Sequence, residues 1–177
     1  LGSAPSCWGA PMKGIKEITP ARLVSDSFMF TIGSHCRELR YDPILYWSEL
    51  DCALSLRSFA LGYDLFNHFV PAVWRNYNKR PQHWEDHGDW WRHSRASESR
   101  FNEMLSHPGV RSLEDYQRYS GIDLRGRRLH RDVLSGKNPP MEYADENSWN
   151  NAMAKDYSIT VTWDVDEIER CDDYDYW

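Results

Sequence analysis

The chain has only four cysteines, Cys7, Cys36, Cys52 and Cys171, and none forms the Cys-x-x-Cys pair from which structural zinc sites are built. Basic charge is in deficit: 21 Lys and Arg stand against 27 Asp and Glu, a formal net charge of −6, which excludes a broad nucleic-acid-binding face. No stretch approaches the ~18 consecutive apolar residues that a membrane-spanning helix needs. There is no Gly-x-x-x-x-Gly-Lys phosphate loop, no Gly-x-Gly-x-x-Gly turn and no Gly-x-Ser-x-Gly elbow, so P-loop, dinucleotide-binding and α/β-hydrolase chemistry have no foothold. The first half also lacks an Asp-x-Asp after an apolar strand. Asp164-Val-Asp166 follows a strand pattern but falls so late that it reads as a turn. Cys52 lies within a helical pattern and reads as a small buried hydrophobe, so the thiols are expected reduced and the setting cytoplasmic.

Aromatic residues, by contrast, are abundant, with nine Trp and ten Tyr in 177 residues. Such density suits either a Trp-rich core or exposed rings that stack on sugars and partners. The first 25 residues carry Pro5, Pro11 and Pro20 and read as loop. Residues 26–33 read as a short strand closed by Gly33. Tyr41-Asp-Pro43 is a turn, because a residue preceding proline avoids the helical region. Ser48 then caps a helix of about fourteen residues with Asp51 as its capping-box partner. Leu50, Ala53, Leu54 and Leu61 form its apolar stripe, and Gly62 stops it. Residues 65–74 read as one or two strands bent at Pro71, residues 75–91 as a charged aromatic loop, and residues 97–105 as a short helix. Ser112 and Asp115 make a second capping box for a helix that ends at Gly121. Residues 122–150 read as loop with at most a short helix, and residues 157–163 alternate as a strand does. A boundary near residue 140 divides residues 1–140 from a small β-containing unit that starts at 141–177.

Three groups of residues could carry chemistry. Glu49 and Asp51 sit in the first turn of the first long helix, where the helix dipole and free N–H groups favour carboxylates. They either cap the helix or accept a hydrogen bond from a substrate hydroxyl, with Trp47 beside them to stack on a sugar ring. The loop supplies Arg75, Lys79, Arg80, His83, Trp84 and His87. They are solvated side chains, or else cations that close on an anionic ligand such as a diphosphate. The i, i+4 pair His83 and His87 lacks the Glu directly after the first His that marks zinc proteases, and Pro81 and Gly88 bracket it as a loop. His68 is a histidine on an apolar strand or a sugar-side residue; Arg57 pairs with Glu49, Asp51 or Asp64; and the basic run 125–131 is a solvated face or a grip on an acidic acceptor.

Residues 28–33 (Phe-Met-Phe-Thr-Ile-Gly), Tyr41-Asp-Pro-x-Leu-Tyr46, the acidic helix start at Glu49 and Asp51, Arg57, Gly62-Tyr-Asp-Leu-Phe66 and His83-Trp84-x-Asp-His87, in this order, resemble the polypeptide α-N-acetylglucosaminyltransferases that modify hydroxyproline and their bacterial relatives. The segment 112–124, with Tyr116 and Gly121-Ile-Asp123, is similar to that family's helix after the site. The likeness runs over about residues 25–130. It implies an α/β fold of the GT-A glycosyltransferase type, and retaining transfer of GlcNAc from UDP-GlcNAc to a hydroxyl acceptor, on a protein in this family. A divalent metal, Mn2+ or Mg2+, would sit on the diphosphate. The chain then corresponds to the acceptor-side, C-terminal part of that fold plus the start of a small β unit, with the nucleotide-binding half upstream or on another chain. In this frame Asp51, helped by Glu49, orients the acceptor or donor sugar. Arg75, Lys79, Arg80 and His83 hold the donor diphosphate, Trp84 and Trp47 wall the sugar pocket with His68 on the acceptor side, and His83 and His87 reach the metal. The chain departs from the family pattern at Leu50, where the first of two adjacent acids is usual, and at Arg75, where a histidine is common. The rival readings are a non-catalytic carbohydrate- or partner-binding module and a metal-dependent hydrolase on His83 and His87. No nucleic-acid or membrane partner is expected.

Overall fold

The structure is a computed structural model that describes residues 16–46, 49–70, 88–106, 109–139 and 149–151. The first long helix organises it. This helix, Leu50–Ala60, is numbered α2 in chain order; Cys52, Ala53, Leu54, Leu56, Phe59 and Ala60 are buried along it. Cys52, Ala53, Leu56 and Phe59 join one cluster with Phe101 and Leu105, Leu113 and Tyr116, and Ala21, Leu65, Ile122 and Leu124. Phe59 lies edge-on to Tyr116 (centroids 5.5 Å apart) and stacks on Tyr119 at 5.0 Å, so aromatic contacts fix the angle between the two helices that carry them. Phe59, Phe101 and Tyr116 are core, but no Trp joins them among the described residues: Trp90 and Trp91 are exposed.

In order, the elements are β1 (Thr19–Pro20), α1 (Gly33–Glu38), α2, β2 (Phe66–Asn67), α3 (Trp90–Met104), α4 (Leu113–Ser120), β3 (Ile122–Asp123), β4 (Arg128–His130), α5 (Arg131–Leu134) and β5 (Trp149–Asn151). β1 and β2 pair antiparallel, Thr19 opposite Asn67 and Pro20 opposite Phe66, with the Ala21 N–H donating to the Leu65 carbonyl at 2.8 Å beside them. β3, β4 and β5 form a second antiparallel sheet in that order.

Glycine ends α2 and α4, and a capping box starts α4, as expected. Gly62 has φ 98°; its N–H bonds to the Phe59 carbonyl at 2.9 Å, and the next N–H, of Tyr63, reaches Ser58 at 3.1 Å. That bond pair is the Schellman arrangement, which uses a left-handed residue to satisfy the last carbonyls of α2. Ser112 accepts from the Asp115 N–H at 3.0 Å while Asp115 accepts from the Ser112 N–H at 2.9 Å, the reciprocal box expected for α4, and Gly121 ends it at φ 71°. The Tyr41-Asp-Pro turn also forms: the Asp42 carboxylate accepts from the Ile44 N–H at 3.0 Å.

Other expectations need correction. Residues 26–33 do not form a strand: a lone bridge joins Ser25 to Phe28, Phe30 and Ile32 are 93% and 64% exposed, and Gly33 opens α1. An apolar run with no edge to pair with has no reason to extend. The box expected at the start of α2 is replaced by another bond. The helix begins at Leu50 with no side-chain cap from Glu49, and Asp51 turns its carboxylate to the Asp26 N–H; Ser48 lies outside the described residues. α3 starts at Trp90 rather than 97, because its first two turns are solvent-facing and leave no apolar period to read. The segment read as loop after residue 121 contains β3, β4 and β5, strands of two or three residues and too short to alternate. β5 pairs with β4 across the expected boundary near residue 140, and residues 157–163 lie outside the described residues.

The basic run 125–131 is only in part a solvated face: Arg125 and Arg131 are exposed, but most of its cations have partners. Arg125 donates to the Leu105 carbonyl (2.9 Å), Arg127 pairs with Glu98 (3.0 Å), Arg128 pairs with Asp123 (2.9 Å) and His130 is buried. These bonds tie the β3–β4 hairpin to α3 and to itself.

Candidate functional site

α2 is amphipathic in an unusual sense: it carries a polar stripe that is largely inside the molecule. Asp51, Ser55 and Ser58, spaced i, i+4, i+7, fall on one side of the helix. Ser55 and Ser58 are fully buried. Each of the three takes a partner from the preceding chain. Asp51 Oδ1 accepts from the Asp26 N–H at 2.7 Å, Ser55 Oγ accepts from the Val24 N–H at 2.8 Å, and Ser58 Oγ meets His35 Nε2 at 2.9 Å. The serine hydroxyls spend their own protons on the helix, Ser55 on the Asp51 carbonyl at 2.6 Å and Ser58 on the Leu54 carbonyl at 2.7 Å. Ser58 is thereby left with acceptor capacity alone toward His35. The imidazole must donate from Nε2, which in the neutral ring is the Nε2–H tautomer. Its Nδ1 is buried without a hydrogen-bond partner, and burial depresses the imidazole pKa.

Asp51 is therefore set at the mouth of α2 with one oxygen bonded to the 24–26 segment. Partial burial pushes its carboxyl up to about 6, opposed by the Asp26 N–H bond and reinforced by the neighbouring Asp26 carboxylate. The Tyr41 hydroxyl completes the group: burial and then the charges of Asp26 and Asp51 raise its pKa, so the proton stays on the phenol. A half-buried carboxylate bonded to the 24–26 turn thus lies at the start of a helix, with the Asp26 carboxylate beside it and the neutral Tyr41 phenol within electrostatic range. The first can accept a hydroxyl proton or a hydrogen bond, and the third can donate one.

Glu49 lies on the inner side of the same helix start. It is 1% exposed and accepts from Ser97 Oγ of α3 at 2.7 Å, while Ser97 Oγ accepts from the Tyr46 N–H at 2.8 Å. It braces α2, α3 and the Tyr41–Tyr46 turn together. Arg57 does not pair with Glu49, Asp51 or Asp64 as expected: it donates to the Arg40 carbonyl at 2.7 Å, while Arg111 takes Asp64 at 2.9 Å. Arg57 also lines an open groove of about 420 Å3 between α2 and α3, whose floor is Leu56, Ala60 and Met104 and whose rim is Asp42, Arg100 and Glu103. Asp42 and Arg100 are joined at 2.8 Å, and that pairing holds the Asp42 carboxyl below the usual range against its burial.

His68 is exposed just beyond β2. Its Nδ1 lies 3.0 Å from the Val70 carbonyl and 3.1 Å from its N–H, and its ring stacks on Phe69 at 4.9 Å. The remaining expected site residues, Trp47, Arg75, Lys79, Arg80, His83, Trp84 and His87, lie outside the described residues. Among the described residues no three His, Cys, Asp or Glu side chains converge as a metal ion requires, and no helix is long and apolar enough to cross a membrane. No sequence signal gives Asp26, Tyr41 or Ser55 a site role, although Tyr41 opens the Tyr41–Tyr46 motif. The signal that could have found Ser55 is the polar i, i+4, i+7 stripe of α2. Asp26 and Tyr41 reach Asp51 across turns, where no periodicity marks them.

A family model described as Glycosyltransferase (GlcNAc) matches residues 4–120, about two thirds of the chain. The chain belongs to this GlcNAc glycosyltransferase family. The match ends with α4, so the β3–β4–β5 sheet follows the family segment. No curated protein and no solved structure matches the chain.

Proposed function

We propose that the chain is the acceptor-side part of a GT-A-type glycosyltransferase that transfers GlcNAc from UDP-GlcNAc, with retention, to a hydroxyl acceptor on a protein. The family match supports the sugar and the reaction class. The observation that carries the site is Asp51: it is a carboxylate in the first turn of α2, half withdrawn from water and fixed by a 2.7 Å bond from the Asp26 N–H. Ionised, Asp51 accepts the hydrogen bond of an incoming hydroxyl with its other oxygen, and Tyr41, kept protonated in the field of Asp26 and Asp51, serves as a donor to an oxygen of the bound sugar. Glu49 acts from behind as a positioning residue, holding the helix start on α3 through Ser97. Arg75, Lys79, Arg80 and His83 stabilise the leaving diphosphate as its charge develops, a contribution of about 3–4 kcal/mol for a well-placed donor. Trp47 and Trp84 pack on the sugar, and His68 lies on the acceptor side. His83 and His87 are the candidate metal ligands; Mn2+ or Mg2+ there would neutralise diphosphate charge, and no step above is routed through it.

The direct test is UDP release from UDP-GlcNAc by the full-length protein. Asp51→Asn keeps size and hydrogen-bonding capacity but removes the charge, and turnover should fall by about tenfold or more with the circular dichroism spectrum unchanged. Turnover equal to wild type would remove Asp51 from the mechanism.

A further inference from the structure

The 24–26 segment touches α2 through two bonds of different kinds. One is the Asp26 N–H on Asp51, at the candidate site itself. The other is the Val24 N–H on the Oγ of the fully buried Ser55, one helical turn deeper, with the same hydroxyl donating to the Asp51 carbonyl. Ser55 thus links the backbone of residue 51 to the backbone two residues before Asp26. The turn between them is otherwise local: the Ser27 N–H bonds to Ser25 Oγ at 3.2 Å, and Ser25 bridges to Phe28. Asp26 itself is exposed, whereas the Ser55 hydroxyl that receives the Val24 N–H is fully buried.

We infer that Ser55 is a positioning residue for Asp51: its hydroxyl seats the 24–26 turn on α2 and so delivers the Asp26 N–H to the Asp51 carboxylate. The inference deepens the transferase reading, on which its catalytic consequence rests, but the positioning itself is independent of it. With Ser55 intact, one Asp51 oxygen is committed to the Asp26 N–H and the carboxylate is held in a defined direction beside the Asp26 side chain. Without the hydroxyl, the Val24 N–H loses a buried acceptor and the turn is free to lift, and Asp51 can rotate. The ionisable groups facing Asp51 are Asp26 from the turn and Tyr41 from the following loop, and both would change their distance to it.

The test follows the Asp26 amide proton by NMR as pH is varied across the Asp51 ionisation in the full chain. An amide bonded to a carboxylate shifts downfield as that carboxylate ionises. In wild type the Asp26 amide should titrate with Asp51, and in Asp51→Asn this step should vanish. Ser55→Ala should cut its amplitude by about half or more, and Ser55→Thr, which keeps a hydroxyl, should restore it. In parallel, Ser55→Ala should lower kcat for UDP release from UDP-GlcNAc about tenfold while KM stays within about twofold. If Ser55→Ala does not fold, Ser55→Cys carries the same measurement, since a thiol accepts hydrogen bonds poorly. An Asp26 amide that titrates identically in wild type and in the Ala or Cys variant overturns the inference. An amide that responds as expected in a protein with no turnover of UDP-GlcNAc keeps the inference and overturns the transferase reading.

Discussion

At the scale of single residues, two buried or half-buried groups on the polar side of α2 titrate in opposite senses. His35 has a depressed pKa, caused first by desolvation. Its neutral form is the one the fold holds, so the associated stability is present above the ordinary histidine pKa and is lost as pH falls through the lower folded value. Wild type should therefore lose thermal stability between about pH 7 and 5 more steeply than His35→Gln. Differential scanning fluorimetry at matched ionic strength measures this, and parallel slopes would contradict a depressed His35 pKa. Asp51 has a raised pKa, so the sign reverses: stability is greatest below the ordinary Asp value and declines as pH rises through about 6. Asp51→Asn should consequently melt no lower than wild type at pH 7.5 even as it loses turnover, which is the mark of a carboxylate kept for function at some cost to the fold. A melting temperature several degrees below wild type would instead make Asp51 a structural cap.

At the scale of elements, what could be read from sequence was what local chemistry decides. Ser112 and Asp115 announce α4 because the box they form needs only four consecutive residues, and Gly62 announces the end of α2 because few other residues accept φ 98°. Removing the Ser112 side chain (Ser112→Ala) should cost roughly 1 kcal/mol in urea unfolding. At Gly62 an added Cβ would meet nothing within 4 Å, so Gly62→Ala should cost about 1–2 kcal/mol for the left-handed backbone alone, with no repacking of the core. The elements misread are those settled by distant partners. β3 and β4 are strands because they pair with each other and with β5, and α3 extends to Trp90 although its first turns bury little. The basic run 125–131 shows the same point in charge: its arginines find Glu98, Asp123 and the Leu105 carbonyl, partners set by the hairpin's docking and invisible in composition.

At the scale of the molecule, α2 serves twice. Its apolar side fills the cluster shared with α3, α4 and the 19–24 strand-and-turn, and its opposite side holds the turn that orients Asp51. The placement of Asp51 in the first turn of this helix was legible in sequence. Its partnership with Asp26 and Tyr41 was not, because it depends on how the 24–26 turn and the Tyr41 loop fold back on α2. Core and site being two faces of one helix, truncation of Phe59 should act on both. Phe59→Ala should cost about 3–5 kcal/mol of stability, and by loosening α2 against α4 it should also broaden the Asp51 titration. The family match ends with α4, and the β3–β4 hairpin beyond it is tied to α3 through Arg125 and Arg127.

The central claim is that an ionised Asp51 receives the acceptor hydroxyl during GlcNAc transfer. The most direct measurement is the pH dependence of kcat/KM for UDP release from UDP-GlcNAc, in wild type and Asp51→Asn, with the full-length protein. The wild-type value should rise through a limb near pH 6, and that limb should be absent from the residual activity of the variant. The same limb in both proteins, at comparable rates, would contradict the account.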